Sequence, residues 1–121
     1  MRIPIGRRSF RVAWEVLCSA HEVVADEIKE CTLTTGATVI VLRTASGALK
    51  VFQGRCPHQQ RSLADADMYC GVLTCAAHMW EFDVQTGEGL NGTLSRLAEY
   101  PIRVEGDDVL VDPTAVQPVR W

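Results

Sequence analysis

The sequence predicts an all-β protein, and three observations carry that expectation. Short runs rich in β-branched and aromatic residues recur along the chain. Turn-forming pairs containing glycine fall between them. Convincing apolar helical periodicity is missing from every segment long enough to show it. A length of 121 residues suits one domain spanning 1–121. With 47% hydrophobic and 22% charged residues, the chain can bury a core and is neither disordered nor of low complexity.

Taken in order, RVAWEVL (11–17) alternates and reads as a strand. SAHEVVADEIKE (19–30) is a helical candidate without a clean apolar stripe, so a strand and loop fit it equally well. ATVIVLRT (37–44) is a dense β-branched run. Ser46-Gly47 marks a turn, and ALKVFQG (48–54) returns as the second arm of a hairpin. QQRSLADAD (59–67) is a second short helical candidate. GVLTCAA (71–77) and MWEFDVQ (79–85) read as two short strands. TGEG (86–89) and Asn91-Gly92 are turn signals. AEYPIRVEGDDVLVD (98–112) closes the chain as a hairpin over Gly106-Asp107. Pattern alone leaves a sandwich and a small barrel open.

Charge is uneven. Arg2, Arg7, Arg8 and Arg11 precede Trp14, and every acidic residue follows it. From Ala13 onward 15 acidic side chains face 8 basic ones, a balance of −7. An acidic body is a poor nucleic-acid binder, because phosphate contacts need Lys and Arg. It suits steering toward a basic patch on a protein partner, or it is simply a solvated surface. No apolar run reaches the roughly 18 residues of a membrane span. The N-terminus lacks the apolar stretch of a secretory signal. Five cysteines, an odd number, suggest reduced or metal-bound thiols in a cytoplasmic setting.

Chemistry concentrates in two stretches. RCPHQQ carries Cys56 and His58, and TCAAHMWEF carries Cys75 and His78, with sixteen residues between the pairs. Four soft-to-borderline ligands in two short segments indicate a metal site. Structural zinc sites usually group Cys with Cys and His with His. Here each segment supplies one of each, which suits a two-iron cluster with thiolates on one iron and imidazoles on the other. Cys70, Cys18 and Cys31 show no ligand spacing and read as non-ligand thiols, and His21 as a surface or turn histidine. Serine–histidine–aspartate groups, phosphate loops and paired catalytic carboxylates do not stand out.

The pattern C-x-H-x16-C-x2-H, its second half following GVLTC, resembles the Rieske family over about Trp14 to Val111. The resemblance implies a Rieske [2Fe-2S] fold: an antiparallel β-sandwich base with a small cluster-binding lobe at about 54–92. It implies Cys56, His58, Cys75 and His78 as ligands of one [2Fe-2S] cluster. Within that family, CPHQ … GVLTCAAHMWEFDVQTGEGLN … LAEYPIRVEGDDVLV looks like the ferredoxin component of toluene and alkene monooxygenases. That implies an electron carrier, not an enzyme. It would act as a cytoplasmic monomer between an NADH-dependent flavin/iron–sulfur reductase and a diiron hydroxylase. Ferredoxins of aromatic-ring dioxygenases and small subunits of assimilatory nitrite reductases are the alternatives. Both tend to carry glycine where this chain has Met79. A zinc-binding interaction module is the alternative of a different class.

High-potential Rieske proteins have a disulfide between their loops and a serine after the second histidine. Arg61 and Ala77 stand at those cysteine positions here, and Met79-Trp80 follows His78. The expected potential is therefore at the low end of the Rieske range, about −150 mV, and falls at alkaline pH. Pro57, Gln59, Met79 and Trp80 are the expected docking or tuning residues. Gly92 stands where the family often has proline, and is expected to loosen the third loop.

Overall fold

The computed structural model describes residues 14–58, 60–76 and 79–120. Among the described residues ten strands lie in three antiparallel sheets. The first joins β1 (Glu15–Ser19), β10 (Asp108–Val111) and β9 (Ile102–Glu105) in that order. The second is β2 (Lys29–Thr32), β3 (Thr38–Arg43) and β4 (Leu49–Gln53). The third is β5 (Asp67–Tyr69), β6 (Val72–Thr74), β7 (Glu81–Asp83) and β8 (Gly89–Leu90). No α-helix occurs among the described residues.

The predicted hairpins form where the turn chemistry put them. β3 pairs with β4 from Val39↔Gln53 to Arg43↔Leu49, and Gly47 takes φ +89° in the turn between them. β9 pairs with β10 through Gly106 at φ +62°. Both helical candidates shrink to single 3-10 turns, Ala20–Glu22 and Leu63–Asp65. The end of the first candidate, Lys29 onward, is strand β2, held antiparallel to β3 from Lys29↔Val41 to Thr32↔Thr38. Tertiary pairing overrides local propensity there. The four N-terminal arginines lie outside the described residues, as does the start of the first predicted strand.

The second sheet is the middle layer, which explains its composition. Val39, Ile40, Val41 and Leu42 are all fully buried. Successive side chains of a strand point to opposite faces. Val39 and Val41 enter one core with Val51, Tyr100, Val109 and Val111. Ile40 and Leu42 enter another with Phe52, Leu63, Leu73 and Phe82. A strand covered on both sides needs apolar residues at every position, so it reads as a continuous run rather than an alternation. The first sheet covers one face of this layer and the third sheet, with its loops, covers the other.

Candidate metal centre

The two Cys/His segments form two loops of the same construction. In the first, Arg55 bridges to Ser62, the Cys56 N–H donates to the Arg61 carbonyl at 2.8 Å, and the Gln60 N–H donates to the Cys56 carbonyl at 2.8 Å. In the second, Thr74 pairs with Glu81, the Cys75 N–H donates to the Trp80 carbonyl at 2.8 Å, and the Met79 N–H donates to the Cys75 carbonyl at 3.0 Å. Gln60 and Met79 occupy the equivalent left-handed position, with φ +57° and +60°. Each hairpin thus narrows to a tight loop with a cysteine at its entrance.

Both cysteines are buried, at 2% and 1% exposure, and both belong to the core shared by the middle sheet and the third sheet. Nδ1 of His58 is buried as well. The Trp80 ring lies flat against the His58 imidazole, with centroids 4.6 Å apart and planes 8° from parallel. Phe82 meets Trp80 at a tilt of 59°. A residue of the second loop therefore fixes the ring plane of the first loop's histidine. His78 and Gln59 lie outside the described residues.

Two inward-facing thiols and a buried imidazole nitrogen, set in matched loops over an apolar core, fit a [2Fe-2S] cluster. Among the described residues no three Cys, His, Asp or Glu side chains gather closely enough to hold one metal ion. A Rieske cluster places two protein ligands on each iron.

The base of the first loop is built with little slack. A Cβ on Gly54 would stand 2.8 Å from the Thr38 carbonyl carbon, so the position admits glycine alone. The preceding residue, Gln53, is a buried amide with every bond made. Its Nε2 donates to the carbonyls of Arg55 (2.8 Å) and Val119 (2.9 Å). Its Oε1 accepts from the N–H groups of Ala98 (2.8 Å) and Val119 (2.8 Å). It ties the loop base to the C-terminal tail. Sequence reading missed this role, because a glutamine closing a strand looks like ordinary edge polarity.

The predicted tuning residues separate. Met79 is 69% exposed and offers an apolar surface beside the second loop. Trp80 is half-buried on His58. Pro57 is buried, which favours a packing role over direct contact with a partner. Gly92 also differs from expectation. Asn91 (φ +53°) and Gly92 (φ +89°) form a tight turn closed by the Thr93 N–H donating to the Leu90 carbonyl at 3.0 Å. Proline, fixed near φ −65°, cannot take that place. The turn is pinned rather than loose: the Glu81 N–H donates to Thr93 Oγ1 at 3.0 Å, and the Asn91 amide donates to the Glu81 carboxylate.

A fold of this kind, with paired Cys/His loops above a β base, defines an iron–sulfur protein. The Rieske [2Fe-2S] domain model matches residues 13–101, and the chain belongs to that family. Its cofactor is a Rieske-type [2Fe-2S] cluster, which makes it an electron-transport protein. The chain is 38% identical over 77 residues to the ferredoxin component of an alkene monooxygenase system from Xanthobacter autotrophicus, a match covering 63% of each chain. It is 34% identical over 97 residues to a biphenyl dioxygenase ferredoxin subunit from Pseudomonas, covering 78% of this chain and 87% of the relative. Among solved structures, the Sphingomonas yanoikuyae B1 ferredoxin superposes with a TM-score of 0.76 at 22% identity, covering 88% of this chain and all of that one. That likeness shows the fold. No helix among the described residues is long and apolar enough to cross a membrane.

Proposed function

We propose that this chain is the ferredoxin of a multicomponent hydrocarbon monooxygenase, carrying single electrons from an NADH-dependent flavin/iron–sulfur reductase to a diiron hydroxylase. The observation that carries the reading is the second loop. Met79 stands at a left-handed position where ring-dioxygenase ferredoxins tend to have glycine, and Trp80 beside it stacks on His58. The 38% identity to an alkene monooxygenase ferredoxin supports it.

In this reading Cys56 and Cys75 would hold one iron, and His58 and His78 the other. The cluster supplies a one-electron couple whose potential the imidazoles raise above that of an all-cysteine cluster. The chain's own residues do the rest. The buried thiols keep one side of the site dry, Trp80 fixes the His58 plane, and Met79 offers a small apolar contact for a transient partner. The protein works as a single cytoplasmic domain and a monomer, with the cluster lobe at about 54–92.

The second reading is a ring-dioxygenase ferredoxin, favoured by the longer match to the biphenyl dioxygenase subunit. The test uses reduced, tagged protein as bait in extract of its host, with metal analysis and EPR of what co-purifies. A captured oxygenase with non-haem diiron and no Rieske signal of its own supports the monooxygenase. One with its own Rieske centre and mononuclear iron moves the assignment to the dioxygenase class.

A further inference from the structure

Three cysteines lie outside the metal loops, and two of them meet. Strands β1 and β2 are edge strands of different sheets, yet they run side by side in antiparallel sense, joined through side chains. At one end the Glu15 carboxylate accepts from the Thr34 N–H (3.0 Å) and hydroxyl (2.6 Å). At the other, Lys29 pairs with Glu22 at 3.9 Å. Midway between these ties Cys18 of β1 stands across from Cys31 of β2, and each thiol influences the other's titration. Cys18 is buried and Cys31 partly so, and both belong to the base core that also holds Tyr100 and Val109. Cys56 and Cys75 belong to the other core.

We propose that Cys18 and Cys31 are an oxidisable dithiol that closes to a disulfide across the seam between the two base sheets, with hydrogen peroxide or an organic hydroperoxide as oxidant. Cys31 is the attacking sulfur, because it is the more accessible. Its thiolate takes one peroxide oxygen, the O–O bond breaks, and water or an alcohol leaves, giving a sulfenic acid. The Cys18 sulfur then displaces that hydroxyl, which departs as water with the Cys18 proton. Two thiols lose two electrons and one peroxide is reduced.

Burial pushes the Cys18 thiol up to about 11 and raises Cys31 as well. The pair therefore reacts slowly near neutrality and answers sustained oxidant rather than brief pulses. Closing it joins two strands that share no ladder, staples the base, and leaves the cluster core untouched.

The test treats the holoprotein with graded hydrogen peroxide, then alkylates, digests without reduction and maps the peptides. The expected result is a Cys18–Cys31 linked peptide and the loss of two alkylatable thiols while the cluster's visible spectrum is intact. Tm should rise by several degrees and return with dithiothreitol. Cys70→Ser should behave identically and Cys31→Ser should show no link. Persistence of both thiols while exposed Cys70 oxidises would overturn the proposal. So would a link that appears only in step with cluster bleaching, because the thiols would then be meeting in an unfolding chain.

Discussion

Trp80 shows how one side chain can join two loops that the chain keeps apart. Its indole covers the His58 imidazole at 4.6 Å and rests on Phe82 below. Stacked aromatic pairs contribute about 0.5–1.5 kcal/mol beyond their buried area. Here the gain also fixes the orientation of a proposed ligand, the kind of outer contact that tunes a metal site. Trp80→Ala should therefore shift the midpoint potential and broaden the EPR lines, while Trp80→Phe should keep most of both. Redox titration of the two variants checks this; equal behaviour of Phe and Ala would show that the stack does not position the ring. The Cys/His spacing that motivates the proposed ligands is visible in the sequence. The stack was not, because it depends on two hairpins facing each other. Gln53 was hidden for a related reason: three of its four bonds reach Ala98 and Val119, and no local pattern reveals a partner that far away.

At the scale of elements, both metal loops need a left-handed residue four places after the cysteine. A side chain there costs about 1–2 kcal/mol that glycine would not. Glycine in turn gives up about 0.4–1 kcal/mol through the freer unfolded chain. Met79→Gly should thus leave thermal stability unchanged or raise it by about 1 kcal/mol, whereas β-branched Met79→Val should lower it. Comparing their Tm values isolates the backbone effect, since Met79 is exposed. The sequence showed glycine missing from this place but not that the backbone still turns left-handed.

The short 3-10 turn at Ala20–Glu22 is likewise held from outside. His21 Nδ1 pairs with the Asp107 carboxylate in the β9–β10 turn, and the His21 N–H donates to Asp107 at 3.1 Å. The hydrogen bond and charge of Asp107 raise His21 above its ordinary 6.5 and lower Asp107 below its ordinary 3.8. The raised histidine contributes stability fully present below pH 6.5 and lost as pH rises through its folded value. The depressed carboxylate contributes stability that fades as pH falls from 3.8 through its own folded value. The pair is at its strongest between those two limits. The Tm difference between wild type and His21→Gln should be largest near pH 5 and vanish on the alkaline side. A difference that grows as pH rises above 6.5 would refute the pairing.

For the whole molecule, the middle sheet decides how one chain carries two cores. Neighbouring residues of β3 serve different masters: Val41 packs with Val109 and Val111 beneath the first sheet, and Leu42 packs with Cys56, Cys75 and Phe82 beneath the metal loops. The sequence announced a strand at this place, and its continuous apolar run follows from cover on both faces. Which residue served which core was not legible, because the two faces are equally apolar. Truncation separates them. Leu42→Ala should cost about 2–5 kcal/mol. It should also speed cluster loss, because the cavity opens beneath the buried cysteines. Val41→Ala removes less volume, about 2 kcal/mol by the same reckoning. It should lower the global Tm while the visible spectrum survives up to the unfolding transition. Following absorbance of the cluster and far-UV circular dichroism through one thermal ramp gives both readings. Coincident loss in Val41→Ala and early cluster loss in Leu42→Ala are the expected pair. Identical curves for the two variants would mean that the cores unfold as one unit and that the middle sheet transmits strain between its faces rather than separating them.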